Sequence, residues 1–227
     1  MEDEALDTAE VAELVAAVAV GTLLAWGLTK LAVGVGAGVA WGLAKLVSSS
    51  SNDGRLDHWR FPACGKLKMN TDGSVTGSLK VFGGRAGFGG VIRDESGSWK
   101  MGFYGRLADC SSSVAEVQGI YRGLQIIKEH GFCDVEIETD LQSAVKQIKD
   151  GHRVKERTRK IVEECRVILG RTRCKLKHIG NKANKVADEM AILGRDQDKD
   201  FVTFSSPPPN QKIKDFLEAD VTSAKSD

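Results

Sequence analysis

Three stretches near the middle of the chain read as strands, and in the first and third apolar and polar residues alternate at period two as in a half-buried strand. In the first, Leu67 and Met69 alternate with Lys66, Lys68 and Asn70. That strand is expected over about 66–72, ending on Asp72, with Gly73 turning the backbone away. The second and third run over about 86–94 and 98–107, joined by Glu95-Ser96-Gly97, so the three make an antiparallel meander. At Ser111 the period changes to that of a helix. Val117, Ile120, Tyr121, Leu124 and Ile127 form one apolar stripe, which runs to about His130 and stops at Gly131. A fourth strand follows over about 133–139, with Val135 and Ile137 on one face. Next come a short helix at about 141–149, a longer basic one at about 154–169, a fifth strand at about 173–179 and a last helix at about 184–193. Residues 201–209 read as a tail, and Ile213, Phe216 and Leu217 predict a short docking helix beyond Pro207-Pro208-Pro209.

The fourth and fifth strands each follow a helical crossover, which places them parallel in the same sheet. The expected fold class is therefore α/β: a mixed five-stranded sheet, three antiparallel strands then two parallel ones, flanked by helices and preceded by an N-terminal apolar helical segment.

That segment runs from Leu14 to Val47, carries only Lys30 and Lys45 as charges, and contains a near-repeat around Trp26-Gly27-Leu28 and Trp41-Gly42-Leu43. Neither half reaches the roughly 20 clean apolar residues that a bilayer core asks for. Gly34, Gly38 and Gly42 would line one face of a helix there. Residues 14–47 thus read as a membrane anchor that spans or lies on a bilayer, or as a helical segment packed on protein. The five acids and no base among residues 1–10 are the wrong charge for a secretory or transit signal, so the chain is expected to be intracellular, with membrane association through 14–47 left open. Ser48-Ser49-Ser50-Ser51-Asn52-Asp53-Gly54 is a flexible linker. The domains expected are the N-terminal segment (1–47), the linker (48–63), a folded domain (64–195) and a Pro-containing C-terminal tail (196–227).

Composition narrows the chemistry. The formal net charge is only +1, yet between Gly151 and Lys185 there are twelve Lys or Arg against three Glu, so one face or end is basic. Five scattered cysteines without a C-x-x-C pair point to a reduced domain with no zinc site. The glycine-rich run Gly83 to Gly90 is no phosphate loop, because Val91-Ile92-Arg93-Asp94 continues as a strand instead of opening a helix with Gly-Lys-Ser/Thr.

Four acids sit at strand ends or helix starts. Each alone has an ordinary explanation: Asp72 in an Asp-Gly turn, Asp140 as a helix N-cap, Glu116 in a Ser113-Val114-Ala115-Glu116 capping box, Asp188 as a solvated helix acid. Together they would be a costly cluster of like charge unless hard cations neutralised it.

The blocks Asn70-Thr71-Asp72-Gly73-Ser74, Gly89-Gly90-Val91-Ile92-Arg93-Asp94, Ser112-Ser113-Val114-Ala115-Glu116, Glu138-Thr139-Asp140 and His178-Ile179 through Asn184-Lys185-Val186-Ala187-Asp188 resemble the ribonuclease H type 1 superfamily. They are most similar to its plant reverse-transcriptase-like branch. The resemblance covers roughly residues 64–195 and implies Mg²⁺-dependent hydrolysis of the RNA strand of RNA/DNA hybrids by two ions, Mn²⁺ being the alternative. It implies Asp72, Glu116, Asp140 and Asp188 as metal ligands and catalytic residues, with His178 as a further catalytic member or a merely structural one. It also implies that backbone at Gly73 and Ser74 reads RNA 2′-hydroxyls. Arg157, Arg159 and Lys160 on the basic helix are candidates for holding the nucleic acid, a hybrid or structured RNA; their alternative is a solvated helix face. The chain departs from the pattern at Leu141, where the family has Ser, and in the Ile179-Gly180-Asn181-Lys182-Ala183 loop, which lacks Pro-Arg-Glu. A monomer is expected. The rival readings are a catalytically inactive nucleic-acid-binding protein of the same fold and a membrane-anchored interaction protein.

Overall fold

The centre of the sheet is β1 (Lys68–Thr76), flanked in a computed structural model that describes residues 58–76 and 84–226 by β2 (Arg85–Arg93) on one side and β4 (Glu136–Thr139) on the other. The described residues belong to the unit Arg55–Asp227. The apolar segment 14–47 and the linker up to residue 57 lie outside the described residues, and so does the expectation of a membrane anchor. Among the described residues no helix is long and apolar enough to cross a membrane.

In chain order the remaining elements are β3 (Trp99–Leu107), α1 (Ser112–Glu129), α2 (Gln142–Asp150), α3 (Arg159–Thr172), β5 (Lys175–His178), α4 (Lys185–Asp196), β6 (Val202–Phe204) and α5 (Gln211–Ala224). Two 3-10 turns, Glu156–Thr158 and Asn181–Asn184, lead into α3 and α4. The sheet runs β5-β4-β1-β2-β3-β6. The β1–β2–β3 meander is antiparallel and β4 and β5 are parallel to β1, as the crossover argument requires.

Four expectations change. β1 does not end at Asp72: β2 pairs with it antiparallel as far as Thr76↔Arg85, and this ladder overrides the local turn tendency of Asp-Gly. The sheet has six strands, because Val202–Phe204, read as tail, pairs antiparallel with β3. The docking helix is a full 14 residues. The basic helix starts at Arg159, its first turn being a separate 3-10 turn.

Alternation along β1 divides its side chains between two packed layers. Met69 faces α1 with Phe88, Phe103, Ile120, Leu124 and Ile137 in the larger core, which α2 and α3 extend through Ile148, Val162 and Cys165. The opposite face is covered by α4 and α5, where Val91, Val186, Met190 and Ile213 are buried beside Trp99, Tyr104 and Phe204. α4 lies directly on β2: a Cβ at Gly89 would be 2.3 Å from the Met190 carbonyl carbon, and one at Gly87 2.2 Å from the Arg195 nitrogen.

The polar half of β1 is not solvated. Lys68 (1% exposed) reaches Glu138 at 2.9 Å and the Arg60 carbonyl at 2.7 Å. Asn70 donates to Glu138 at 3.0 Å and accepts from Trp59 and Arg93. The fully buried Arg93 stacks on the Trp59 ring at 3.8 Å and pairs with Asp220 of α5 at 2.8 Å. The entry segment at Trp59 and the C-terminal helix are thus tied through the sheet by one buried polar network.

Candidate metal centre

β1 and β4 pair in parallel only as far as Asn70↔Glu138. Beyond that point β1 continues with β2 while β4 ends at Thr139, and the two chains part. Such a crevice at the carboxyl end of parallel strands is where α/β sheets place their sites. Asp72 and Asp140 stand on its two sides.

Glu116 enters from α1, and Gly73 sets how close it comes. A Cβ on Gly73 would lie 2.4 Å from the Glu116 nitrogen and 2.6 Å from the Ala115 carbonyl carbon, so only glycine lets the first turn of α1 rest on the strand. The capping box does not form. α1 begins after Ser111, whose side chain makes no capping bond, and the Ser113 hydroxyl accepts instead from Gln147 Nε2 of α2 at 2.7 Å. Glu116 is freed to accept from the Thr139 hydroxyl and to share a hydrogen bond with Asp72. Nor is Asp140 the N-cap of α2, a position held by Leu141.

One carboxylate oxygen from each of Asp72, Glu116 and Asp140 lies within 4.8 Å of the others. Asp72 and Glu116 are buried, and Asp140 is half-buried. Burial first, then repulsion from Glu116, Asp140 and Asp188, drives the Asp72 carboxyl far above the usual carboxylate range. Burial also raises Glu116, against the hydrogen bond from Thr139. The remaining neighbours are neutral. The Gly73 amide donates to Asp72 Oδ1 at 2.7 Å, Asn184 Nδ2 to Asp72 Oδ2 at 3.4 Å, and Asn181 Nδ2 to Asp140 Oδ2 at 3.0 Å.

The fourth predicted acid stands at the rim. Asp188, in the first turn of α4, pairs with Lys185 at 3.6 Å and is outside the close group of three, although its charge is felt by Asp72. His178 ends β5 and meets the Asp140 main-chain carbonyl through Nε2 at 3.0 Å. The Gly73 amide is taken by Asp72, and the Ser74 hydroxyl accepts from Arg195 Nη1 at 2.9 Å. Arg157, Arg159 and Lys160 are exposed, and Arg159 pairs with Glu156 at 2.7 Å.

The sequence reading missed Thr139, Asn181, Asn184 and Arg195. Asn184, one turn before Asp188, stands at a helix start and in one of the resembling blocks, with no role of its own assigned there. Its side-chain contact with β1, 112 residues away, leaves no local signal.

A family model described as reverse transcriptase-like matches residues 70–193. The chain belongs to this family. An Arabidopsis thaliana protein named for ribonuclease H is 32% identical over 155 residues, which is 68% of this chain and 24% of that protein. Among solved structures, the LC11 RNase H1 isolated from compost by a metagenomic approach is 27% identical with a TM-score of 0.51, covering 58% of this chain and 96% of its own. The same enzyme in complex with an RNA/DNA hybrid gives 25% and 0.50, over 57% and 96%. The N-terminal RNase H domain of a Mycobacterium tuberculosis protein, at 21% identity, TM-score 0.51 and coverage of 58% and 94%, shows the same fold. The reverse transcriptase-like chain is thus a ribonuclease-H-like protein with a mixed sheet and an acidic triad.

Proposed function

We propose that this protein is an endonuclease that hydrolyses the RNA strand of RNA/DNA hybrids with Mg²⁺ held by Asp72, Glu116 and Asp140, and with Asp188 completing the set from the rim. The observation that carries this reading is the convergence of three carboxylate oxygens within 4.8 Å at the mouth between β1 and β4. The donor set fits a hard cation, since it is all oxygen and without a counter-ion among the described residues. Asn184 adds a second sign of fit, a buried carboxamide whose Oδ1 has no hydrogen-bond partner. When bound, a pair of such ions supplies an activated water and stabilises the charge that develops on the leaving oxygen.

The protein's own residues prepare that chemistry. Gly73 brings Glu116 onto β1, and Thr139 orients the Glu116 carboxylate from β4. The raised Asp72 and Glu116 carboxyls must give up their protons as the cation enters, so metal binding is coupled to proton release. Arg195, which donates to the Ser74 hydroxyl two residues beyond Asp72 and pairs with Asp196, is a candidate contact for a phosphate of the substrate strand. Arg157, Arg159 and Lys160 supply the wider phosphate contacts, and the RNA strand is told from DNA through its 2′-hydroxyls. One solved relative, the LC11 RNase H1, supports the substrate class, one of its two structures being described with an RNA/DNA hybrid bound.

The test is cleavage of a 5′-labelled RNA/DNA hybrid by the full chain in Mg²⁺, in EDTA, and as Asp72→Asn. Cutting of the RNA strand by the wild type alone, and only with metal, is the expected result. Hybrid binding without cutting by the wild type would replace the enzyme reading with that of a nucleic-acid-binding protein of the same fold.

A further inference from the structure

The loop between β5 and α4 is where the chain departs most from the pattern it resembles, and its structure gives the departure a role. Both asparagines of the 3-10 turn Asn181–Asn184 are spent on the acids. Asn181 Nδ2 donates to Asp140 Oδ2 at 3.0 Å. Asn184 Nδ2 donates to the Thr71 carbonyl at 3.0 Å and to Asp72 Oδ2 at 3.4 Å. Just before the turn, His178 meets the main-chain carbonyl of Asp140 at 3.0 Å. The stretch 178–184 therefore holds Asp140 by main chain and side chain, and Asp72 by side chain.

We infer that Asn181 and Asn184 form a carboxamide latch: positioning residues that hold the Asp140 and Asp72 carboxylates in their cation-binding orientation, with His178 bracing the same acid. The inference rests on the reading of the acidic cluster as a metal site. A carboxamide suits the task because it donates without carrying charge. A lysine or arginine in the same place would neutralise the acids and compete with the cation, whereas an amide fixes one oxygen and leaves further lone pairs free. Asp72 shows the division. Its Oδ1 is engaged by the Gly73 amide and its Oδ2 by Asn184, so the carboxylate cannot rotate, yet neither partner cancels its charge.

Asn184 itself supplies the independent observation. It is 1% exposed, its Nδ2 is used twice, and its Oδ1 is buried with no partner. An unmet buried acceptor is expensive, and here it belongs to a side chain that touches a cluster of acids. It is an acceptor of the kind that a water carried in with a cation satisfies. The 3-10 geometry accounts for the pairing: a short turn of four residues carries one amide to each side of the crevice, with Ala183 buried between them.

The test is isothermal titration of Mn²⁺ into the metal-free full chain as wild type, Asn181→Ala and Asn184→Ala, beside the Mg²⁺ dependence of hybrid cleavage. Loss of an outer partner of a metal ligand weakens metal binding by roughly 10- to 100-fold. Each variant is expected to raise the Mn²⁺ dissociation constant by that factor and to raise equally the Mg²⁺ concentration for half-maximal cleavage, with the KM for hybrid unchanged. Asn184→Ala also removes the partner of the Thr71 carbonyl and is destabilised for that reason. Asn181 is exposed, so Asn181→Ala folds as the wild type does and decides the matter. A wild type that binds metal and cuts, beside an Asn181→Ala variant with unchanged metal affinity, overturns the latch and leaves the proposed function standing. A wild type that binds no metal overturns the metal reading, and the latch with it.

Discussion

Replacing Gly73 by alanine tests whether the contact between α1 and β1 builds the site. The added Cβ meets the Glu116 nitrogen at 2.4 Å, the Ala115 carbonyl carbon at 2.6 Å and the Ala115 Cβ at 2.9 Å. Favourable contacts between carbon atoms lie at about 3.5–4.0 Å, so the first turn of α1 has to rise from the strand by about 1 Å. The obstacle is helix main chain, which has no rotamer to change, and α1 is held along its length by buried Val117, Ile120 and Leu124. Overpacking of this kind costs about 1–3 kcal/mol. For a domain of this size each kcal/mol lowers the thermal midpoint by about 2–4 °C.

Activity should suffer more than stability does. The lifted turn carries Glu116 away from Asp72 and Thr139, and a misplacement of about 1 Å at a reacting centre is worth on the order of 10²-fold in rate. The assay is hybrid cleavage at saturating Mg²⁺ together with thermal unfolding, with Gly170→Ala as the matched control. Nothing lies within 4 Å of a Cβ at Gly170, which is in α3, so that change gains up to about 1 kcal/mol of helix propensity and leaves cleavage alone. Wild-type melting and turnover in Gly73→Ala would refute the claim that this contact sets the separation of Glu116 and Asp72.

Because the Asp72 and Glu116 carboxyls are raised in the folded chain, the native state keeps protons that the unfolded state has released at neutral pH. Stability of the metal-free protein therefore falls as pH rises above the unfolded carboxylate range of about 4, and the melting temperature in EDTA should be higher at pH 5 than at pH 8. Asp72→Asn should flatten most of that slope, and a flat wild-type profile would contradict the assignment. Asp220→Ala leaves Arg93 fully buried without its counter-ion, which should cost about 3–5 kcal/mol in denaturant unfolding. An apolar pair, Arg93→Met with Asp220→Leu, should recover much of it; a cost below about 1 kcal/mol for Asp220→Ala would mean that α5 is not clamped as described. Finally, replacing Arg157, Arg159 and Lys160 together by Ala should lower the salt dependence of hybrid affinity by up to about 0.9 per lost phosphate contact, read by fluorescence anisotropy. An unchanged slope would remove this segment from the nucleic-acid surface.

The elements with a strong internal period were legible from the residues alone. The stripe from Val117 to Ile127 and the alternation through β3 depend on which side of the element is covered, which the spacing of apolar residues records directly. What was not legible depends on partners distant in the chain. Asp-Gly at 72 and 73 has the chemistry of a turn, and only the ladder to β2 keeps it extended. The three residues of β6 have no period of their own; they are held by pairing with β3 and by the Trp99 indole, which donates to the Phe204 carbonyl at 3.2 Å. Lys68 and Arg93 occupy polar positions of alternating strands, yet both are buried, because α5 and the Trp59 segment cover the face that alternation alone would leave wet. Of the four acids picked out in the sequence, Asp72, Glu116 and Asp140 come together and Asp188 stays at the rim, and their local contacts were not legible. The capping-box spacing at Ser113 and Glu116 was real, and tertiary partners for both residues won over it.

That covered face also supplies the sharpest argument about what the acidic cluster is for. Charge is buried at several points in this domain, and elsewhere it is paired: Glu138 with Lys68 and Lys177, Arg93 with Asp220, Glu189 with Lys212. An unpaired buried charge costs several kcal/mol, so the fold has evidently been held to the rule that buried ions carry partners. Asp72 and Glu116 depart from that pattern among the described residues: neither has a basic partner and burial favours their protonated forms, Asp72 two positions along the same strand face from the neutralised Asn70 network and both beside a third acid. A sequence able to place Lys68 against Glu138 was equally able to place a base against Asp72; it placed asparagines there instead. Among the described residues these acids are left without a basic partner, and a divalent cation of the kind that phosphodiester hydrolysis uses would displace their protons and complete the site.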